Sequence, residues 1–271
     1  NNFEVSLDFV VMTGDLVDVL PSDELTYYDE NDNTSIHQLK LLLDELDMPF
    51  HLALGNHDYY TDDGFLDSHT TPDKSARESL FQDQLDMPAP WYRFDHEGLG
   101  FIVLNSMQDD ARVDWAPGRC GSFGEVQLAW LEEELKKGDP CFLFFHHPLA
   151  LDVMVSAGAM AFFAFEVPRS EGDYEKYEDT VFEDWTDPIY DLLQEHADQV
   201  QGVFVGHGHW FVQDYFEGIP VMMTDSVGNS YQGTAIDVDG EDQPMRYHIV
   251  ECNLTKNTMT IYNESHFIYN A

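Results

Sequence analysis

The sequence predicts an α/β protein, and three observations carry that reading. Apolar runs of strand length alternate with stretches of helical period, the pattern of strands joined by crossover helices. Four such runs, at residues 7–12, 49–54, 141–145 and 202–205, lead into a turn that offers side chains with lone pairs: Asp15, Asn56, His146, and His207 with His209. Finally, 43% hydrophobic and 14% aromatic residues in a chain of 271 can fill a sizeable core. In layered α/β sheets the carboxyl ends of strands form the crevice where ligands sit, so these residues are expected to share one place.

The elements follow in order. Leu7-Asp8-Phe9-Val10-Val11-Met12 reads as a buried strand that enters the turn Thr13-Gly14-Asp15. An acidic loop over 21–33 precedes a helix over 35–46, with Ile36, Leu39, Leu43 and Leu46 on one stripe and Ser35 as its cap. The run ending at Leu54 is a second strand, parallel to the first because a helix lies between them. Residues 59–90 read as irregular, with one short helix near 76–85. Strands over 91–95 and 101–105 flank a hairpin-like turn, and a helix over 124–137 carries Val126, Leu128, Trp130, Leu131 and Leu135 with a basic last turn. A strand over 141–145 runs into His146-His147-Pro148. Residues 149–186 lack periodicity and read as a lid or cap whose aromatics Phe162, Phe163 and Phe165 line a mouth or pack the lid itself. A helix over 188–197, the strand to Val205 and a β-rich remainder (215–223, 235–238, 247–253, 259–262) complete the chain. No repeat or linker divides it, so 1–271 is expected to be one domain with a 149–186 insertion.

Charge excludes some partners. Twelve basic against 52 acidic residues give a net charge of −40, so a phosphate backbone or an anionic membrane would be repelled. Salt adaptation and calcium binding are alternative causes of this acidity; no helix–loop–helix calcium motif is present. No apolar run is long enough to span a membrane. The opening on Asn1 is compatible with a removed leader, and an exported location is the expectation. Cys120, Cys141 and Cys252 permit a disulfide without implying one, and Cys141 reads as an inert core residue. Three Asn-x-Ser/Thr triplets, at Asn33, Asn253 and Asn263, are too short a pattern to carry weight.

A carboxylate, an amide oxygen and imidazoles, without thiolate, suit zinc, manganese or iron. The motifs Gly14-Asp15, Gly55-Asn56-His57-Asp58, His146 before His147-Pro148, and Gly206-His207-x-His209 occur in the order found in the calcineurin-like metallophosphoesterase superfamily, which the chain resembles over residues 9–209. Phe101-Ile102-Val103-Leu104-Asn105 and Gln127-Leu128-Ala129-Trp130-Leu131 resemble intervening segments of that family.

The resemblance implies a four-layer α/β/β/α sandwich of two mixed sheets flanked by helices. It implies two divalent or trivalent metals bridged by Asp15, with Asn56, His146 and His207 completing one site and His209 serving the other. It makes His57 the residue that contacts phosphate and assists the leaving group, with Asp58 holding its ring. Such a centre clamps phosphoryl oxygens between two cations about 3.5–4 Å apart and supplies a bridging hydroxide as nucleophile. One feature departs from the family. Its opening Asp-x-His motif is absent from residues 1–7, so the five ligands present carry one negative charge; either upstream sequence is missing, which is the expectation, or one metal site is crippled. The implied function is hydrolysis of a small phosphate mono- or diester. The alternative is a non-catalytic scaffold on the same fold with a partial metal site. His147 is read as structural, Asp18 as a solvated loop acid with support of the site as its alternative, the remaining histidines as background, and Glu132-Glu133-Glu134 as a solvated helix face.

Overall fold

The computed structural model describes residues 6–18, 35–61, 64–65, 71–107, 121–149, 151, 188–209, 211–224, 245–253 and 258–266. In chain order these form β1 (Val10–Met12), α1 (Ser35–Leu43), β2 (Phe50–Leu52), a 3₁₀ turn (His57–Tyr59), a small ribbon of β3 (Tyr60–Thr61) and β4 (Gly64–Phe65), and α2 (Thr71–Leu85). There follow β5 (Tyr92–His96), β6 (Leu99–Val103), α3 (Gly124–Leu135), β7 (Cys141–Phe144) and α4 (Pro188–Glu195). The last strands are β8 (Val200–Val205), β9 (Val212–Phe216), β10 (Ile219–Met223), β11 (Met245–Asn253) and β12 (Thr258–His266).

The larger sheet has the order β5-β6-β7-β8-β10-β9. Its four inner strands are parallel, and the two edges are antiparallel hairpin partners. β1 and β2 pair in parallel, with Val11 opposite His51, as an intervening helix requires. β11 and β12 form an antiparallel hairpin.

Side chains alternate across each strand, so one sheet feeds two cores. One face sends Ile102, Leu143, Val203 and Val205 against Leu131 and Leu135 of α3 and Ile189 and Leu193 of α4. The other sends Phe101, Val103, Phe142, Phe144 and Phe204 against Val11 of β1, Ala53, and the β11–β12 residues Val250 and Ile261. A third core packs Leu52 and Leu54 on Ile36 and Leu43 of α1 and Phe81 and Leu85 of α2. The layers are therefore helix, sheet, sheet, helix. Strands buried on both faces read as continuous apolar runs, which is why β6 and β7 were legible.

Several boundaries differ from the sequence reading. α1 stops at Leu43, and turn hydrogen bonds from Glu45 to Leu42 and from Leu46 to Leu43 replace its last turn. α2 starts at Thr71, where Pro72 is tolerated in the first helical turn. The run 215–223 is a hairpin, broken at Glu217-Gly218, whose φ values of 49° and 84° form the turn. Glu134 leaves the solvated face of α3 and lies 3.5 Å from the Arg93 guanidinium. Cys141 is a buried free thiol, pushed up to about 11 by burial. Most of the 149–186 insertion, the strand at 235–238 and Cys120 lie outside the described residues. Among those described, no helix is long and apolar enough to cross a membrane.

Candidate metal centre

The carboxyl ends of β1, β2, β7 and β8 converge, and the turns that follow them are unusually tight. Gly14 has φ 100° and Asp15 follows at φ 53°. A Cβ at Gly14 would lie 2.6 Å from His146 Nδ1 and 2.8 Å from the Gly55 nitrogen. A Cβ at Gly55 would collide with Asp15, so these glycines let two loops touch back to back. His207 and His209 also sit in the left-handed region, at φ 68° and 59°. Such conformations cost of order 1 kcal/mol or more each and cluster where a site over-determines the backbone.

Within this knot, His146 Nε2 lies 2.9 Å from Asn56 Oδ1, 3.0 Å from His207 Nδ1 and 3.3 Å from Asp15 Oδ2. Asn56 Oδ1 is 2.8 Å from His207 Nδ1. Ligand atoms of Asp15, His146 and His207 all fall within 4.8 Å of one another. The opposite nitrogen of His146, Nδ1, donates to the Thr13 carbonyl at 2.8 Å. That bond fixes the tautomer: in neutral His146, Nε2 presents a lone pair to an amide oxygen and a carboxylate, which can only accept. A proton or a cation has to lie among them.

The electrostatics agree. Burial pushes His146 down, but the Asp15 carboxylate, with hydrogen bonds to Asp15 and Thr13, leaves it raised overall. Burial pushes Asp15 up, yet His146 and His57 hold it down to about 2. His207 falls well below its ordinary value through burial and the neighbouring His147, His146, His209 and His57, so it stays neutral, the form that ligates metal. An ionised carboxylate, an amide oxygen and two imidazoles around one point fit a divalent cation.

The expected site residues divide into those that meet and those that do not. Asp15, Asn56, His146 and His207 meet. His209 is half-buried nearby and outside the 4.8 Å cluster. His57 donates its backbone N–H to Asp15 Oδ1 at 2.9 Å. Its ring Nδ1 lies 3.0 Å from both the carbonyl and the carboxylate of Asp18. The Asp58 carboxylate, expected to hold that ring, faces two backbone N–H groups. It is fully buried, and its two oxygens accept the N–H of Val17 (3.0 Å) and of Gly55 (2.7 Å), bracing the Asp15 loop against the Asn56 loop. Burial, with the nearby Asp15 charge, pushes Asp58 up to about 7. The acid beside that ring is Asp18, read from sequence as a solvated loop acid. His147 is buried, with Nδ1 2.8 Å from Ser106 Oγ, as its structural reading anticipates.

The fold and this ligand set together define a layered α/β protein with a candidate metal centre at its strand ends. The family model described as calcineurin-like phosphoesterase matches residues 2–211, and the chain belongs to that family. No curated protein sequence matches the chain. Among solved structures it is similar to GAP50, "the anchor in the inner membrane complex of Plasmodium", at 12% identity and TM-score 0.51, covering 97% of this chain and 79% of that one. It is also similar to phosphopantetheinyl hydrolase from Mycobacterium tuberculosis, at 12% identity and TM-score 0.47, covering 79% of this chain and 77% of that one. At 12% identity the likeness to GAP50 is one of fold.

Proposed function

We propose that the protein hydrolyses a small phosphate mono- or diester with a divalent metal held by Asp15, Asn56, His146 and His207. The observation that carries this reading is the meeting of Asp15 Oδ2, Asn56 Oδ1 and His207 Nδ1 within 3.3 Å of His146 Nε2. When bound, the metal supplies charge neutralisation for phosphoryl oxygens and a lowered pKa for water. The chain's own groups do the rest. Thr13 and Asp58 hold the two faces of the knot in place before any ligand arrives. Asp18 accepts a hydrogen bond from His57 Nδ1–H, which leaves Nε2 as the atom that can hold or move a proton for the departing oxygen. The net charge of −40 disfavours long nucleic acids as substrates and leaves small phosphoesters.

Hydrolysis of para-nitrophenyl phosphate and its bis ester, assayed with added manganese or zinc, tests the reading. Turnover with at least one metal is expected; none with any metal would sink it. One feature favours a second reading, a binding protein on this fold: among the described residues the cluster contains a single carboxylate. In that case ions would bind without turnover.

A further inference from the structure

The two loops that bring Asn56 and His146 together are 90 positions apart in the chain, and a buried polar network joins them from behind. Its centre is Asn105-Ser106, just past the end of β6, both fully buried. Asn105 Nδ2 donates to the Tyr59 hydroxyl at 2.8 Å and to Glu78 Oε1 of α2 at 3.3 Å. The Tyr59 hydroxyl donates in turn to Glu78 at 2.9 Å, and the Tyr59 N–H returns to the Asn56 carbonyl at 3.1 Å. One end of the network therefore grips the Asn56 loop.

The other end grips the His146 loop. Ser106 Oγ hydrogen-bonds His147 Nδ1 at 2.8 Å and accepts the His147 N–H at 3.3 Å. His147 is the chain neighbour of His146, and its ring centroid lies 4.5 Å from that of His207. Asn105 itself cannot shift: its side-chain oxygen accepts the Met107 N–H at 3.0 Å, and its backbone N–H and carbonyl pair with Gln127 of α3 at 2.8 and 2.7 Å. A buried network satisfied this fully specifies geometry more than it adds stability.

We propose that Asn105 and Ser106 are positioning residues that lock the Asn56 and His146 loops in the relative placement a cation needs. The inference rests on the metal reading given above. Outer partners of ligands commonly change metal affinity about 10–100-fold. The test compares the full chain with Tyr59→Phe, which removes one hydroxyl, with Ser106→Ala, and with Ser106→Thr, which restores a hydroxyl. Mn²⁺ affinity is read by titration calorimetry and the metal-free melting temperature in parallel. We expect Tyr59→Phe and Ser106→Ala to melt cooperatively without metal, to bind Mn²⁺ about 10-fold more weakly or worse, and Ser106→Thr to recover most of the loss. Should Ser106→Ala fail to fold, the near-isosteric Tyr59→Phe carries the test. Unchanged Mn²⁺ affinity with lowered melting would make the network merely structural and overturn the inference alone. Absence of Mn²⁺ binding by the unaltered protein would overturn the metal reading, and this inference with it.

Discussion

In front of the strand ends, His146 Nε2 faces Asn56 Oδ1 and Asp15 Oδ2, two groups that can only accept, while its other nitrogen is engaged by Thr13. Behind them, the polar groups of Asn105 and Gln127 are matched donor to acceptor. The contrast extends to the backbone. Asp15, His207 and His209 are left-handed, whereas Asn105 and Ser106, just past the end of β6, are not. Strain and unbalanced lone pairs are thus concentrated where an ion can relieve them, and the supporting side is satisfied without one.

Three substitutions or conditions bear on this comparison, in decreasing order of effect. Asp58 belongs to the supporting side although it lies beside the catalytic candidate. Asp58→Ala would strand the Val17 and Gly55 N–H groups and is expected to cost about 2–4 kcal/mol in chemical denaturation; a loss below the error of the method would break the bracing role. Asp18 belongs to the front. Asp18→Asn is expected to lower kcat about 10-fold while metal content stays unchanged, because the His57 ring beside it lies outside the Asp15–His146–His207 cluster. A drop in bound metal would instead place Asp18 in the cation site.

The smallest effect lies between the sheets, away from both. His51 stacks on Phe94 with ring centroids 3.4 Å apart, and burial lowers it from 6.5 to about 4. Between those values the unfolded chain binds the extra proton, so stability rises with pH across that window and falls as pH drops through it. Denaturation midpoints measured from pH 4 to 7 should show this slope, and His51→Phe should flatten it.

Much of this was legible in the sequence because burial on two faces leaves uninterrupted apolar strands, and because Asp15, Asn56, His146 and His207 each follow one. What escaped had weaker local signals. The first half of α2 is polar and opens with Thr71-Pro72, which reads as loop. Asp18 is exposed, and nothing local distinguishes it from other loop acids except its place three residues after Asp15, where the chain turns back toward His57. Asp58 adjoins His57 in sequence, but the 3₁₀ turn at His57–Tyr59 sends its carboxylate inward to Val17 and Gly55. The Tyr59–Asn105–Ser106–His147 network joins three places in the chain, and only the fold assembles it.

The measurement that bears most directly on the central claim is the metal content of the protein and of His207→Ala after equilibration with Mn²⁺ and removal of free ion. The geometry predicts bound manganese in the unaltered chain and loss of most of it in His207→Ala, with the metal-free fold retained. Equal manganese in both proteins, or none in either, would contradict it.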